Sequence, residues 1–354
     1  MNSNREITPV RSAHSFDESR LATYLNANID GFSGALNVGQ FEYGQSNPTF
    51  LLSAGGKEYV LRKKPPGKLL PSAHAVDREY RIISALKNTD VPVPETLLFC
   101  EDDSVIGTPF YVMEWVEGRI FRDPAASGAS DARERSAIFD DMNNTLARIH
   151  LLDWEALGLT DYGKPGNYMD RQVRRWARQY EASKTDDITA MDHLIQWLKD
   201  NIPADDNTTI VHGDFRLENL IIHPSEPLVI AVLDWELSTL GHPLADLAYN
   251  CMSYHIPKLE GRLTGYKGLN LAELGIPEET AYFAAYCRRT GRDNILNYRF
   301  FMAFSMFRLA AIVQGVYKRG LDGIASSDHA KTYGEYVRFL TDSACRIISK
   351  NMPR

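Results

Sequence analysis

The stretch VHGDFRLENL occupies residues 211–220, and the stretch LDWE follows at residues 233–236. The first stretch places Asp214 five residues before Asn219, and the second places Asp234 directly after an apolar run. Phosphoryl transfer needs a carboxylate to orient and deprotonate a hydroxyl, and oxygen ligands for Mg²⁺. We therefore predict that Asp214 is a catalytic base and that Asn219 and Asp234 are metal ligands.

Two neighbouring side chains extend this constellation. Arg216 lies two residues after the predicted base, where it can reach a transferring phosphate or pair with a surface carboxylate. Glu236 can join the metal shell, contact the substrate or only line the site. We give Arg216 a catalytic role and Glu236 a substrate-binding role, and we give His212 a structural role in the loop.

The segment before residue 117 alternates in a way that is typical of a small sheet. The runs VGQFEY, TFLLS and EYVLR are separated by GQSNP and AGGK, which predicts three antiparallel strands. An amphipathic helix at residues 75–87 and two more strands follow. After Gly118 the pattern becomes mainly helical. We predict an α+β protein with lobes at residues 1–116 and 117–354, joined by a short hinge.

The N-terminal lobe should then bind the nucleotide. Arg62 on the third strand can contact phosphate while it pairs with Glu79 on the following helix. The turn GQSNP can cradle phosphates with backbone N–H groups, and the end of the last strand can pair with the base. The residues assigned to these last two roles are Gly44, Ser46 and Asn47 in the turn, and Glu114 and Val116 at the hinge.

The order of these features resembles the aminoglycoside phosphotransferase and choline kinase family, from about residue 36 to about residue 250. HGDFRLEN is similar to the catalytic loop of that family, LDWE to its metal-binding segment, and HPLADLAY to the motif that follows. The resemblance implies a bilobal protein-kinase-like fold, a structural role for Asp246, and ATP or GTP with Mg²⁺. GQSNP stands where kinases have a GxGxxG loop, which implies a phosphate-binding loop of different shape.

The stretches at residues 59–83 and 161–180 resemble a subgroup that also occurs fused to acyl-CoA dehydrogenases. That resemblance implies a hydroxyacyl-CoA as the phosphate acceptor. Four arginines also follow one another at helical spacing, and two of them, Arg171 and Arg175, are our candidates for binding an anionic substrate. A solvated helix face is the alternative explanation. An aminoglycoside or amino-alcohol kinase, a non-catalytic nucleotide-binding module and a metal-dependent hydrolase remain alternative functions.

Composition excludes several classes of protein. The net charge of −7 argues against a general nucleic-acid or membrane-surface binder. The four cysteines match no zinc spacing, and the polar N-terminus does not resemble a signal peptide. We find no run of about 18 apolar residues. We predict a cytoplasmic enzyme that binds a nucleotide and a small hydroxylated substrate, without nucleic acid or membrane.

Overall fold

The computed structural model forms two compact units. One unit contains residues Met1–Phe121 and Glu218–Ser238, and the other contains Arg122–Leu217 and Thr239–Arg354. Residues 218–238 thus group with the first unit, although they follow residue 116, where we place the lobe boundary. The structure describes residues 7–42, 47–65, 75–258, 264–323, 330 and 332–349.

The first unit is built on a six-stranded antiparallel sheet with the strand order β1-β2-β3-β4-β6-β5. The predicted strands are present, and a short strand, β1, extends one edge. The strands are β1 (Ile7–Thr8), β2 (Asn37–Phe41), β3 (Thr49–Ala54), β4 (Lys57–Lys63), β5 (Thr96–Cys100) and β6 (Phe110–Glu114).

The turn between β3 and β4 shows why the sequence AGGK specifies a hairpin. Ala54 pairs with Lys57, so Gly55 and Gly56 form a two-residue connection. Both glycines have positive φ angles, +57° and +77°. A two-residue turn of this kind matches the right-handed twist of the strands and requires positive φ at both positions. The turn therefore sets the register of β4.

Three helices accompany the sheet: α1 (Glu18–Asn28), α2 (Val76–Leu86) and α3 (Asp103–Ile106). The side chain of Asp17 caps α1, because it accepts the N–H groups of Ser19 and Arg20, both at 3.0 Å. Helix α2 is amphipathic, and its buried face includes the carboxylate-bearing Glu79 among aliphatic residues. A buried carboxylate requires a partner.

The segment Glu218–Ser238 adds a two-stranded antiparallel hairpin to the first unit. Its strands are β8 (Leu220–Ile222) and β9 (Val229–Val232). Arg119 and Ile222 exchange two backbone hydrogen bonds of 2.7 and 2.8 Å, which tie this hairpin to the chain after β6. The contacts place the LDWE segment in the first unit.

The second unit is mainly helical, as the sequence predicts. It also contains a two-stranded antiparallel sheet of β7 (Thr209–Val211) and β10 (Thr239–Gly241). The helices are α4 (Ala132–Leu151), α5 (Tyr168–Ser183), α6 (Thr189–Asp200), α7 (Pro243–Cys251), α8 (Leu271–Leu274), α9 (Glu279–Thr290), α10 (Tyr298–Leu321) and α11 (Gly334–Ser349).

Helix α10 is long and apolar enough, by length and composition, to cross a membrane. However, 61% of its most apolar segment is buried inside the protein, where the helix packs against α5, α7 and α11. That burial is typical of the central helix of a folded domain. The apolar sequence of α10 therefore serves the core of the second unit.

Candidate active site

Arg62 joins two carboxylates within the first unit. Its Nη1 atom lies 2.5 Å from an oxygen of Glu79, and its Nη2 atom lies 3.0 Å from an oxygen of Asp234. The predicted Arg62–Glu79 pair is present, and the additional contact with Asp234 is new. The planar guanidinium can donate to both carboxylates at once because its donors form a rigid fork.

Burial dominates the electrostatics of this group. Glu79 is fully buried, and burial raises its pKa to about 7, although Arg62 acts in the opposite direction. Burial alone would lower the pKa of Arg62, but the nearby carboxylates of Glu79, Asp234 and Glu236 hold it well above its usual value. Arg62 is therefore a permanent cation within this group of carboxylates.

The β8–β9 hairpin brings the two predicted metal ligands to its open end. Leu220 pairs with Val232, and the N–H of Leu233 donates to the carbonyl oxygen of Asn219 at 2.8 Å. Asp234 comes next and has a left-handed backbone, with φ of +65°, which is uncommon outside glycine. An amide oxygen and a carboxylate oxygen at one hairpin end are ligands that suit Mg²⁺.

The phosphate-cradling turn is only partly described. Gly44 and Ser46 lie outside the described residues, so their roles stay predictions. Asn47 is described and fully buried, and its side-chain amide donates to Glu236 at 3.4 Å. The first described residue of the turn thus contacts Glu236, the acidic residue that follows Asp234 by two positions.

The segment predicted to bind the nucleotide's base (adenine or guanine) lies at the end of β6. The N–H of Glu114 donates to the carbonyl oxygen of Glu95 at 2.9 Å, and the N–H of Glu95 donates to the Glu114 carboxylate, also at 2.9 Å. The Glu114 N–H is therefore occupied by Glu95, the residue before β5. Val116 is half-buried and follows the strand. Their contact with a nucleotide base stays a prediction.

In the second unit, Asp246 braces the loop that carries Asp214. Its two carboxylate oxygens accept the N–H groups of His212 at 2.6 Å and of Gly213 at 2.8 Å. Gly213 has a φ of +83°, a conformation that favours glycine. The buried ring of His212 accepts the N–H of Asp214 at 3.2 Å. Asp246 and His212 thus have the bracing roles that we predict for them.

Among its interactions, the Asp214 carboxylate contacts the side chains of Arg216 and Tyr249. A carboxylate oxygen lies 3.4 Å from the Nε atom of Arg216, which is half-exposed. The Tyr249 hydroxyl is hydrogen-bonded to the same carboxylate, and burial followed by the charge of Asp214 raises the pKa of that hydroxyl. The Tyr249 hydroxyl is therefore protonated at neutral pH and donates to Asp214. The carboxylate retains 15% exposure, which leaves it accessible to a small molecule.

The arginines of α5 have different environments. Arg171 donates to the carbonyl oxygens of Gly166 and Lys164, so it holds the loop before the helix. Arg174 pairs with Asp170 on the surface. Arg175 is exposed, and its guanidinium lies 5.6 Å from the ring centre of Trp176. Of the two candidates for substrate binding, Arg175 is the more accessible to an anion.

Two residues near Asp214 were not assigned a role from the sequence. Tyr249 follows Asp246 by three residues in α7 and contacts Asp214. Arg308 on α10 donates to the Gly213 carbonyl oxygen at 2.8 Å. A signal for Arg308 exists, because it is the only charged residue in the mainly apolar run at residues 300–317. Tyr249 is the last residue of the HPLADLAY stretch, so the motif contains it, although the sequence alone did not assign it a role.

Residues 37–288 match the model of a family described as the phosphotransferase enzyme family. Acyl-CoA dehydrogenase family member 10 of Mus musculus is 48% identical over 97% of this chain. The match covers 32% of that relative, so the chain spans about a third of its length.

Solved structures show the same fold. A candidate aminoglycoside phosphotransferase from Ralstonia eutropha JMP134 is 49% identical, with a TM-score of 0.86 over 94% of this chain and 98% of the other. A thermostable mutant of an aminoglycoside phosphotransferase, solved in ternary complex with ADP and hygromycin B, is 16% identical, with a TM-score of 0.60. That alignment covers 94% of this chain and 99% of the mutant enzyme. The bilobal kinase-like architecture predicted from the sequence is confirmed.

Proposed function

This chain belongs to the phosphotransferase enzyme family, and from that premise we propose that it is a small-molecule kinase. It transfers the γ-phosphoryl group of ATP or GTP to a hydroxyl group of a small substrate. In this proposal the N-terminal unit binds the nucleotide, and the second unit supplies the catalytic base and the binding site for the acceptor. The absence of disulfides among the four cysteines fits a reducing cytoplasm.

The observation that carries this proposal is the set formed by Arg62, Glu79 and Asp234. These residues come from three distant segments of the chain and are joined by contacts of 2.5 and 3.0 Å. A cation held between a buried carboxylate and a candidate metal ligand is what binding of a metal–triphosphate complex requires. A purely structural ion pair would not need Asp234 in a left-handed conformation at the end of a strand.

The remaining roles follow from the residues. Asn219 and Asp234 would hold Mg²⁺, which neutralises charge on the phosphate oxygens when it is bound. Asp214 orients the acceptor hydroxyl and takes its proton as the new oxygen–phosphorus bond forms and the bond to the nucleoside diphosphate breaks. Arg216, which is paired with Asp214 at 3.4 Å, supplies positive charge beside the transferring group.

For the acceptor we propose an anionic metabolite, with a hydroxyacyl-CoA as the leading candidate. Arg175 is exposed on α5 next to Trp176, and an arginine beside an aromatic ring suits a phosphorylated or carboxylated ligand. The similarity to a relative named as an acyl-CoA dehydrogenase supports the same class. Aminoglycosides are the alternative, which the name of the relative from Ralstonia eutropha favours.

The test is a phosphoryl-transfer screen with γ-labelled ATP and GTP in the presence of Mg²⁺. The acceptors are hydroxyacyl-CoAs, amino alcohols and aminoglycosides. We expect label transfer to a hydroxyacyl-CoA, and we expect Asp214→Asn to lower kcat by about 10²–10⁴-fold because a general base is lost. Label transfer that is independent of Asp214, or nucleotide binding without transfer to any acceptor, would refute the proposed reaction.

Two variants on one helix test the acceptor site. Arg175→Ala should raise the KM for the acceptor about tenfold, the effect of losing one charge-assisted contact, and leave the KM for ATP unchanged. Arg174→Ala is the matched control, because Arg174 is paired on the surface with Asp170. Equal effects of the two variants would remove Arg175 from the acceptor site.

A further inference from the structure

Arg308 is a charged side chain in the middle of the apolar helix α10. One end of its guanidinium, Nη2, donates to the carbonyl oxygen of Gly213 at 2.8 Å. The guanidinium carbon lies 5.6 Å from the ring centre of Trp176 and 5.2 Å from that of Tyr249. The cation is therefore held by two aromatic faces and by one carbonyl group of the loop that precedes Asp214.

Stability alone does not explain an arginine at this position. The Nε atom of Arg308 is buried and has no hydrogen-bond partner within the part of the chain that the structure describes. A half-buried cation with one buried donor left unpaired stabilises a helix less than an apolar side chain of similar volume. Residues that break the rule that buried polar groups are paired are commonly found at functional sites.

The contact with Gly213 completes the restraint of one peptide group. The carbonyl oxygen of Gly213 is held by Arg308, and the N–H on the other side of that peptide bond, on Asp214, donates to His212 at 3.2 Å. Asp246 holds the preceding N–H groups. The plane of the peptide that leads into Asp214 is therefore restrained at both its oxygen and its nitrogen.

A second route connects Arg308 to the same carboxylate. The Tyr249 ring that lies against the guanidinium carries the hydroxyl that is hydrogen-bonded to Asp214. The cation thus restrains the backbone before Asp214 directly and its carboxylate through the ring of Tyr249. Small errors in the placement of a catalytic group cost large factors in rate.

We propose that Arg308 is a positioning residue that orients the carboxylate of Asp214, an inference that rests on the kinase function proposed above. Arg308 does not touch the reacting atoms. It restrains the Gly213–Asp214 peptide and the ring of Tyr249, and so lowers the cost of bringing Asp214 to the acceptor hydroxyl. Loss of Arg308 should therefore affect turnover rather than nucleotide affinity.

The experiment compares Arg308→Met, Arg308→Lys and Tyr249→Phe with Arg319→Met, a control at an exposed position of the same helix. We expect Arg308→Met to lower kcat by about 10–100-fold, as for the loss of one charged hydrogen bond, with the KM for ATP changed less than about twofold. Arg308→Lys keeps the charge and should recover part of kcat. Tyr249→Phe keeps the ring and should lose only the contribution of its hydroxyl.

Amide hydrogen exchange supplies a readout that does not depend on turnover. The Arg308→Met variant should exchange the amides of residues 212–214 faster than the wild type, while the rest of the chain and the control are unchanged. A kcat within about threefold of the wild type, or unchanged exchange in this loop, would overturn the inference. If Arg308→Met exchanges these amides faster but the wild-type protein transfers phosphate to no acceptor, only the proposed function fails.

Discussion

Replacement of Asp246 by asparagine tests how the catalytic loop is held. Asp246 is 3% exposed and accepts the N–H groups of His212 and Gly213 at 2.6 and 2.8 Å, one with each oxygen. Burial alone would raise its pKa, but the hydrogen bond from His150 and the loop amide hold the pKa below its usual value. The residue is therefore an anion with both oxygens engaged.

Asparagine offers one oxygen and one NH₂ group in the same space. One backbone N–H would keep a neutral acceptor in place of a charged one, which costs about 1 kcal/mol. The other N–H would face a donor, lose its hydrogen bond and stay buried, which costs about 1–3 kcal/mol more. We expect the free energy of unfolding to fall by about 3 kcal/mol and the melting temperature by about 4 °C.

Urea unfolding followed by tryptophan fluorescence measures this loss, and a parallel assay measures kcat. The matched control is Asp170→Asn, because Asp170 forms a surface pair with Arg174 and should cost less than about 0.5 kcal/mol. If Asp246→Asn lost activity while its stability stayed within about 1 kcal/mol of the wild type, Asp246 would act in the chemistry, and the bracing role would be refuted.

Two further perturbations probe buried charges. Arg62→Met removes the ion-pair partner of the fully buried Glu79, so chemical denaturation should show a free energy of unfolding lower by about 3–5 kcal/mol. The KM for ATP should also rise. A variant as stable as the wild type would contradict the pairing. Burial lowers the pKa of His242 to about 4, so the contribution of His242 to the free energy of unfolding is complete above the unfolded-state pKa. That contribution, about 3 kcal/mol, is lost as the pH falls from about 6.5 to about 4. His242→Asn keeps a side chain that can cap the N–H of Leu244, and it should flatten this dependence of the unfolding free energy on pH. An equally steep dependence in the variant would show that another group titrates in this range.

Local patterns predicted most of the architecture of the first unit. Alternating apolar residues, glycine turns and the helical spacing of residues 75–87 act over a few residues, so they identify β2 to β6 and α2. They did not reveal that residues 218–238 pack with the first unit. That grouping depends on hydrogen bonds such as those between Arg119 and Ile222, which lie far apart in the chain.

The candidate site divides in the same way. The spacing of Asp214 and Asn219 and the strand before Asp234 are sequence signals, because chemistry restricts which residues can serve there. Helical spacing suggested that Arg171 and Arg175 act together, yet Arg171 holds backbone carbonyls of its own loop. A period of 3.6 residues identifies a shared helix face and does not identify the partners of each side chain.

The reaction class follows from the sequence alone, because a few residue types must occur at short, fixed separations. The contact between Arg308 and Gly213 is seen only in the folded protein, because the two residues lie 95 positions apart along the chain. A contact over that distance depends on the packing of α10 against α5 and α7, which no local pattern encodes. Hydrophobic burial is non-directional, so it brings such helices together, and the hydrogen bonds formed afterwards select the orientation of each catalytic group.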